Sequence, residues 1–95
     1  MFKIGTKVIV RTYSAGVHFG TLKSLDEKVV TLANARRIWR WFGANTLNEI
    51  ANHGVDAERS KISEPVSAIL LTEAIEVIPC SEKSIASLEG AKWTS

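Results

Sequence analysis

The sequence predicts a β-rich α+β fold, a small five-stranded barrel with one or two short helices, as a single domain over residues 1–95. Three observations point there. Short runs rich in β-branched residues alternate with polar ones, as in Lys7-Val8-Ile9-Val10-Arg11-Thr12, and a period of two belongs to strands. Turn-forming residues, Gly16, Asp26-Glu27 and Gly43 among them, interrupt those runs at short intervals. A length of 95 residues allows one core and no separate catalytic domain.

Taken in order, Val8, Val10 and Thr12 alternate with Lys7, Ile9 and Arg11 and suit a half-buried first strand. Tyr13-Ser14-Ala15-Gly16 reads as a tight turn in which Gly16 supplies the permissive backbone. Alternation resumes from Val17 to Leu25 as a second strand, with Gly20 inside it marking a bend or bulge. Asp26-Glu27-Lys28 is a polar turn, and Val29 to Leu32 form a third strand. Arg36 to Phe42 reads as a further strand. At period two it sets Arg37, Trp39 and Trp41 on one face and Arg36, Ile38, Arg40 and Phe42 on the other.

Gly43-Ala44-Asn45 breaks that strand, and Thr46-Leu47-Asn48-Glu49 has the form of a capping box, Thr46 as N-cap and Glu49 at the third helical position. The short helix stops at Gly54. Residues 55–65 read as an exposed charged loop. Val66 to Thr72 and Ala74 to Ile78 form two strands, as a hairpin or as one bent strand, ended by Pro79. Ser81 caps a last short helix, Glu82 to Leu88, stopped by Gly90, and Trp93 lies on a tail that must dock.

Composition narrows the function classes. Hydrophobic residues at 45% and charged residues at 23% suit a globule and are too apolar for a disordered chain. The longest aliphatic run, Ala68-Ile69-Leu70-Leu71, is far short of the roughly 20 residues of a membrane helix. The first residues lack a signal-peptide pattern, so the cytoplasm is the expected compartment. Cys80 is the sole cysteine, which excludes an internal disulfide and a cysteine-based zinc site. A net charge of +2 conceals an asymmetry: residues 1–45 carry eight basic and two acidic side chains, residues 46–95 four and eight. A basic half of this kind marks an anion-binding surface or a face that meets a neighbouring subunit.

Two resemblances add to this reading. Val8-Ile9-Val10, Gly16, Gly20-Thr21-Leu22, Asp26 and Leu32 resemble the opening of an Sm-like small barrel, which implies the barrel. The second Sm signature, an apolar run ending in Arg-Gly, is missing, so the RNA-binding ring is kept only as an alternative. Residues 8–16, Asn34-Ala35-Arg36-Arg37-Ile38-Trp39, Gly43-Ala44-Asn45-Thr46-Leu47 and residues 74–80 resemble small single-domain proteins encoded by tailed phages. Through them the chain resembles the anti-CBASS sponges, which bind the cyclic-nucleotide alarm signals of bacterial immunity as homo-oligomers. The resemblance implies a cyclic nucleotide ligand held without cleavage, a homo-oligomer and the cytoplasm of an infected bacterium. A phage accessory protein acting through protein contacts alone is a third reading.

A cyclic dinucleotide presents two phosphates and two bases, so its pocket needs fixed cations and flat aromatic faces. Arginine forks onto phosphate and also stacks on bases. Arg36, Arg37 and Arg40 interleaved with Trp39 and Trp41 place both kinds of group on one strand. The same tryptophans serve equally as core or interface residues with arginines flanking them. Tyr13, Ser14 and His18 would gather at the barrel rim, beside Asn45, Thr46 and Asn48, where the helix N-terminus also favours an anion. Tyr13 at such a turn more often covers a barrel end, Asn45 more often helps to cap and Asn48 more often faces solvent. No Gly-rich phosphate loop or metal-binding motif is present, and nothing in the spacing of His18, His53 and Cys80 brings two of them together, so no enzyme, cofactor or metal is expected.

Overall fold

The computed structural model describes residues 2–91; Trp93 lies outside them. The chain forms β1 (Lys7–Thr12), β2 (Val17–Asp26), β3 (Val29–Arg40), α1 (Leu47–His53), β4 (Lys61–Ile62), β5 (Val66–Leu71), β6 (Ala74–Pro79) and α2 (Glu82–Gly90). All strand pairs are antiparallel, in the order β4-β3-β2-β1-β6, with β5 also on β3. The fold is thus β-rich α+β, but among the described residues the sheet has six strands instead of five and does not close into a barrel. β5 and β6 are consecutive yet bond to opposite sides of the sheet, β5 to β3 and β6 to β1. They make one sharply bent path and no hairpin.

β3 is a single strand where two were expected. It runs twelve residues through Asn34, which takes up a positive φ of 49°. There Phe19 pairs with Arg36 and Thr21 with Ala33, so β3 carries an extra residue opposite Gly20. That is a bulge, and it re-aims the strand without ending it. Gly20 suits this close approach, since a Cβ would lie 3.1 Å from both the Ala33 carbonyl oxygen and the Leu32 Cβ and would push them apart. The strand ends at Arg40, so Trp41 and Phe42 fall beyond it.

β1 is buried on both faces instead of one: Val8, Ile9 and Val10 are all fully inaccessible. Ile9 joins Phe19, Ile38, Ile50, Ile62 and Leu88 in a cluster beneath the two helices. Val8 and Val10 face the other way, onto Leu22, Val30, Leu32 and Leu71 where the sheet curls over itself. The expected loop at 55–65 also contributes to the core, since Ile62 pairs with Ile38 and is fully buried.

Both helix starts follow their caps. Thr46 accepts a hydrogen bond from the Glu49 amide and Ser81 from the Ser84 amide. Gly54 closes α1 at φ 87°, its N–H donating to the Ile50 carbonyl. Gly90, by contrast, lies inside α2, and the cap falls on Ala91. Among the described residues no helix is long and apolar enough to cross a membrane.

Candidate functional site

Of the residues named from sequence, His18, Arg37 and Trp39 meet in one cavity. It has a volume of about 360 Å³ and lies between the β2–β3 pair and the segment that leads from β4 into β5. Strand pairing explains the grouping. His18 is opposite Arg37 in the β2–β3 register, and Trp39 follows two residues on, on the same face as Arg37. Arg37 and Trp39 are both exposed, Trp39 at 56%, whereas Ile38 between them is buried.

The opposite wall comes from Ser63, Glu64, Val66 and Ile69. Ser63 is locked to β3 twice, its N–H donating to the Arg37 carbonyl at 2.9 Å and its Oγ accepting from the Arg37 N–H at 2.8 Å. The backbone at Arg37 is therefore rigid while its guanidinium stays at the surface. Nothing in the sequence pattern marks Ser63 or Glu64 for this role, because it depends on a two-residue strand too short to show a period.

His18 is 1% exposed, with Nε2 2.9 Å from the Ala15 carbonyl oxygen. A carbonyl only accepts, so Nε2 carries the proton and the neutral ring keeps Nδ1 as an acceptor. Burial lowers the pKa of the ring; the Ala15 bond opposes this and the Arg37 charge adds to it. The Tyr13–Gly16 turn that presents Ala15 is held by Thr12, whose Oγ1 donates to the Gly16 carbonyl and accepts from the Ala15 N–H.

The other named residues go elsewhere. Arg36 points to the opposite side, where its guanidinium donates to the carbonyls of Ser63 at 2.8 Å and Leu88 at 2.7 Å, to those of Ile62 and Glu89 at 3.3 Å, and to Ala91. It closes the C-terminal end of α2 and ties that helix to β4. Arg40 lies over the Phe42 ring at 5.2 Å, and Arg59 lies 4.5 Å from the same ring. Trp41 is half-buried against the helix-side core. Tyr13, 80% exposed, borders a separate hollow with Glu73, to which Ser14 donates a hydrogen bond.

Asn45, Thr46 and Asn48 line no part of the cavity. The start of α1 already holds a carboxylate, Glu49, whose Oε2 accepts from the Asn45 N–H at 3.3 Å. His53, at the last turn of α1, and Cys80 are apart from the cavity as well. Burial pushes the Cys80 thiol up to about 11, with a smaller opposing effect from Ser84, so it stays protonated at neutral pH.

The cavity thus combines one guanidinium, one indole, one imidazole and one carboxylate with the apolar wall of Ala35, Val66 and Ile69. Chemically it can hold an anion on Arg37, cover a flat ring with Trp39 and accept N–H donors at Glu64. The comparisons place the chain in a family without assigning it a role. A family model described as a domain of unknown function, DUF6948, matches residues 5–88, and the chain belongs to that family. No curated protein and no solved structure matches it.

Proposed function

For this DUF6948 protein we propose a binding function without chemistry: sequestration of a cyclic nucleotide, the alarm signal of a bacterial defence system, in the cytoplasm of an infected cell. One observation carries the proposal. Arg37 and Trp39 are exposed on the same face of β3 and border one cavity whose floor includes His18. In this reading Arg37 forks onto a phosphate, Trp39 stacks on a base and Glu64 accepts from the amino or imino hydrogens of a base edge. His18 Nδ1 accepts a further hydrogen bond. Arg36 is structural, and Tyr13, Ser14, Arg40, Trp41, Asn45, Thr46 and Asn48 lie outside the ligand.

The test is direct binding of the purified protein to a panel of cyclic di- and trinucleotides by calorimetry, followed by heat denaturation and recovery of the ligand. Binding with intact recovery is the expected result. Arg37→Ala should weaken it by about 1.5–3 kcal/mol, the contribution of a charge-assisted hydrogen bond. Linearised nucleotide would make the protein an enzyme, and unchanged affinity in Arg37→Ala would move the ligand to another surface. The Sm-like resemblance of the opening strands suggests RNA tracked along a ring instead. A salt series separates the two, because many phosphate contacts give a steep loss of affinity with ionic strength and a two-phosphate ligand a shallow one.

A further inference from the structure

We infer that the base held in the Arg37–Trp39 cavity is guanine, and that the Glu64 carboxylate is the group that selects it. The inference rests on the nucleotide-binding reading and deepens it by naming the base of the ligand.

The polar groups around the cavity divide by charge and by hydrogen-bonding role. Arg37 stands on β3 and Glu64 on the segment opposite. The ion pairs among the described residues are Lys7–Glu89, Arg11–Glu76 and Asp56–Arg59, so neither cavity charge is engaged by another. The Glu64 wall is poor in donors. Ser63 spends its N–H on the Arg37 carbonyl and its hydroxyl proton on the Glu64 carbonyl at 3.1 Å, and Pro65 has no N–H. On the floor, His18 spends its one N–H on the Ala15 carbonyl and leaves Nδ1 as an acceptor. A ligand edge that meets these groups must therefore bring its own donors, while its anionic end goes to Arg37.

Guanine is the base whose edge does so. Its N1–H and 2-amino group lie side by side on the Watson–Crick edge, and the two oxygens of a carboxylate accept from both at once. Adenine sets the N1 lone pair beside its 6-amino group, cytosine sets N3 beside its 4-amino group, and uracil flanks a single N–H with two carbonyls. Each of these brings an acceptor against the carboxylate. Paired, charge-assisted hydrogen bonds are the strong ones, and a site built around them rejects a ligand that leaves its groups unmatched. Trp39 offers a flat indole face to the purine. The cavity, about 360 Å³, lies at the small end of the roughly 300–1,000 Å³ of ligand pockets and suits one nucleotide unit.

The test is calorimetry on the full chain with cyclic di-GMP, cyclic di-IMP, cyclic di-AMP and cyclic tri-AMP as probes. The wild type should bind cyclic di-GMP at least about 10-fold more tightly than either adenine ligand. Cyclic di-IMP, whose hypoxanthine keeps N1–H and lacks the 2-amino group, should fall between them. Glu64→Gln sets an amide donor beside an oxygen acceptor, which opposes guanine and matches adenine. The guanine-to-adenine affinity ratio should then drop at least about 10-fold, and taking a ratio cancels what the lost negative charge does for every anionic ligand. Glu64 is exposed, so the thermal transition should stay in place. An adenine ligand bound by the wild type as tightly as cyclic di-GMP, or a ratio unmoved in Glu64→Gln, overturns the inference and leaves nucleotide sequestration standing. Cyclic di-IMP probes the same contact without any substitution, and an affinity equal to that of cyclic di-GMP also overturns it. Absence of binding by all four probes overturns the function proposed above and the inference with it.

Discussion

Arg36 and Arg37 are adjacent in sequence and opposite in consequence. The Arg36 guanidinium meets carbonyls of β4, the segment after it and the end of α2, each of which loses a hydrogen bond when it is removed. Arg36→Ala should therefore cost about 2 kcal/mol of stability in urea unfolding, whereas Arg37→Ala should cost under about 0.5 kcal/mol, as expected of an exposed side chain. His18 gives a pH signature. Its native pKa is held below the ordinary 6.5, chiefly by burial, so the unfolded chain takes up the proton first on acidification. The stability is complete above about pH 6.5 and is lost as pH falls from there toward the lowered native value. Melting temperatures from pH 7.5 to 5.5 should decline in the wild type and decline less in His18→Gln.

At the scale of elements, helix α1 depends on its two ends to different degrees. Thr46→Ala removes one hydrogen bond at an exposed start and should cost about 1 kcal/mol. Gly54→Ala should cost more, about 3 kcal/mol, for two reasons that combine strain with overlap. Its φ is 87°, and an added Cβ would lie 2.2 Å from Ser87 Oγ. That hydroxyl cannot swing away freely, because it accepts from the Val55 N–H at 3.0 Å and donates to the Ser84 carbonyl at 2.9 Å. Denaturant midpoints of the two variants test the order, and a Gly54→Ala midpoint equal to the wild type would contradict this account. The bulge at Asn34 matters as much for β3, since it carries Ala35 and Ile38 into the core while leaving Arg37 and Trp39 outside.

At the scale of the whole molecule, two apolar clusters share β1, whose neighbouring residues Ile9 and Val10 belong to one each. A layer shared in this way couples them. Ile9→Ala and Leu32→Ala should each lower stability by about 3 kcal/mol, and both should shift one common transition. Fluorescence and far-ultraviolet dichroism melts that separate in either variant would show the clusters unfolding independently.

Local chemistry determined much of this architecture from the sequence alone. The caps at Thr46 and Ser81, the turn at Gly16 and the starts of β1, β2, β5 and β6 depend on neighbouring residues, and their signals are short enough to read directly. The alternation that put Arg37 and Trp39 on one face was legible for the same reason. Tertiary structure alone decided that Arg36 is a structural clamp, because its carbonyl partners lie 26 to 55 positions away. It also decided that Val29 to Arg40 is one strand: a bulge opposite Gly20 resets the period and makes one strand look like two. The burial of β1 on both faces and the entry of Ile62 into the core followed from which elements stacked on them. The cavity has the same origin, for a period of two can place a side chain on a face but only long-range pairing can place Ser63, Glu64 and Val66 opposite it.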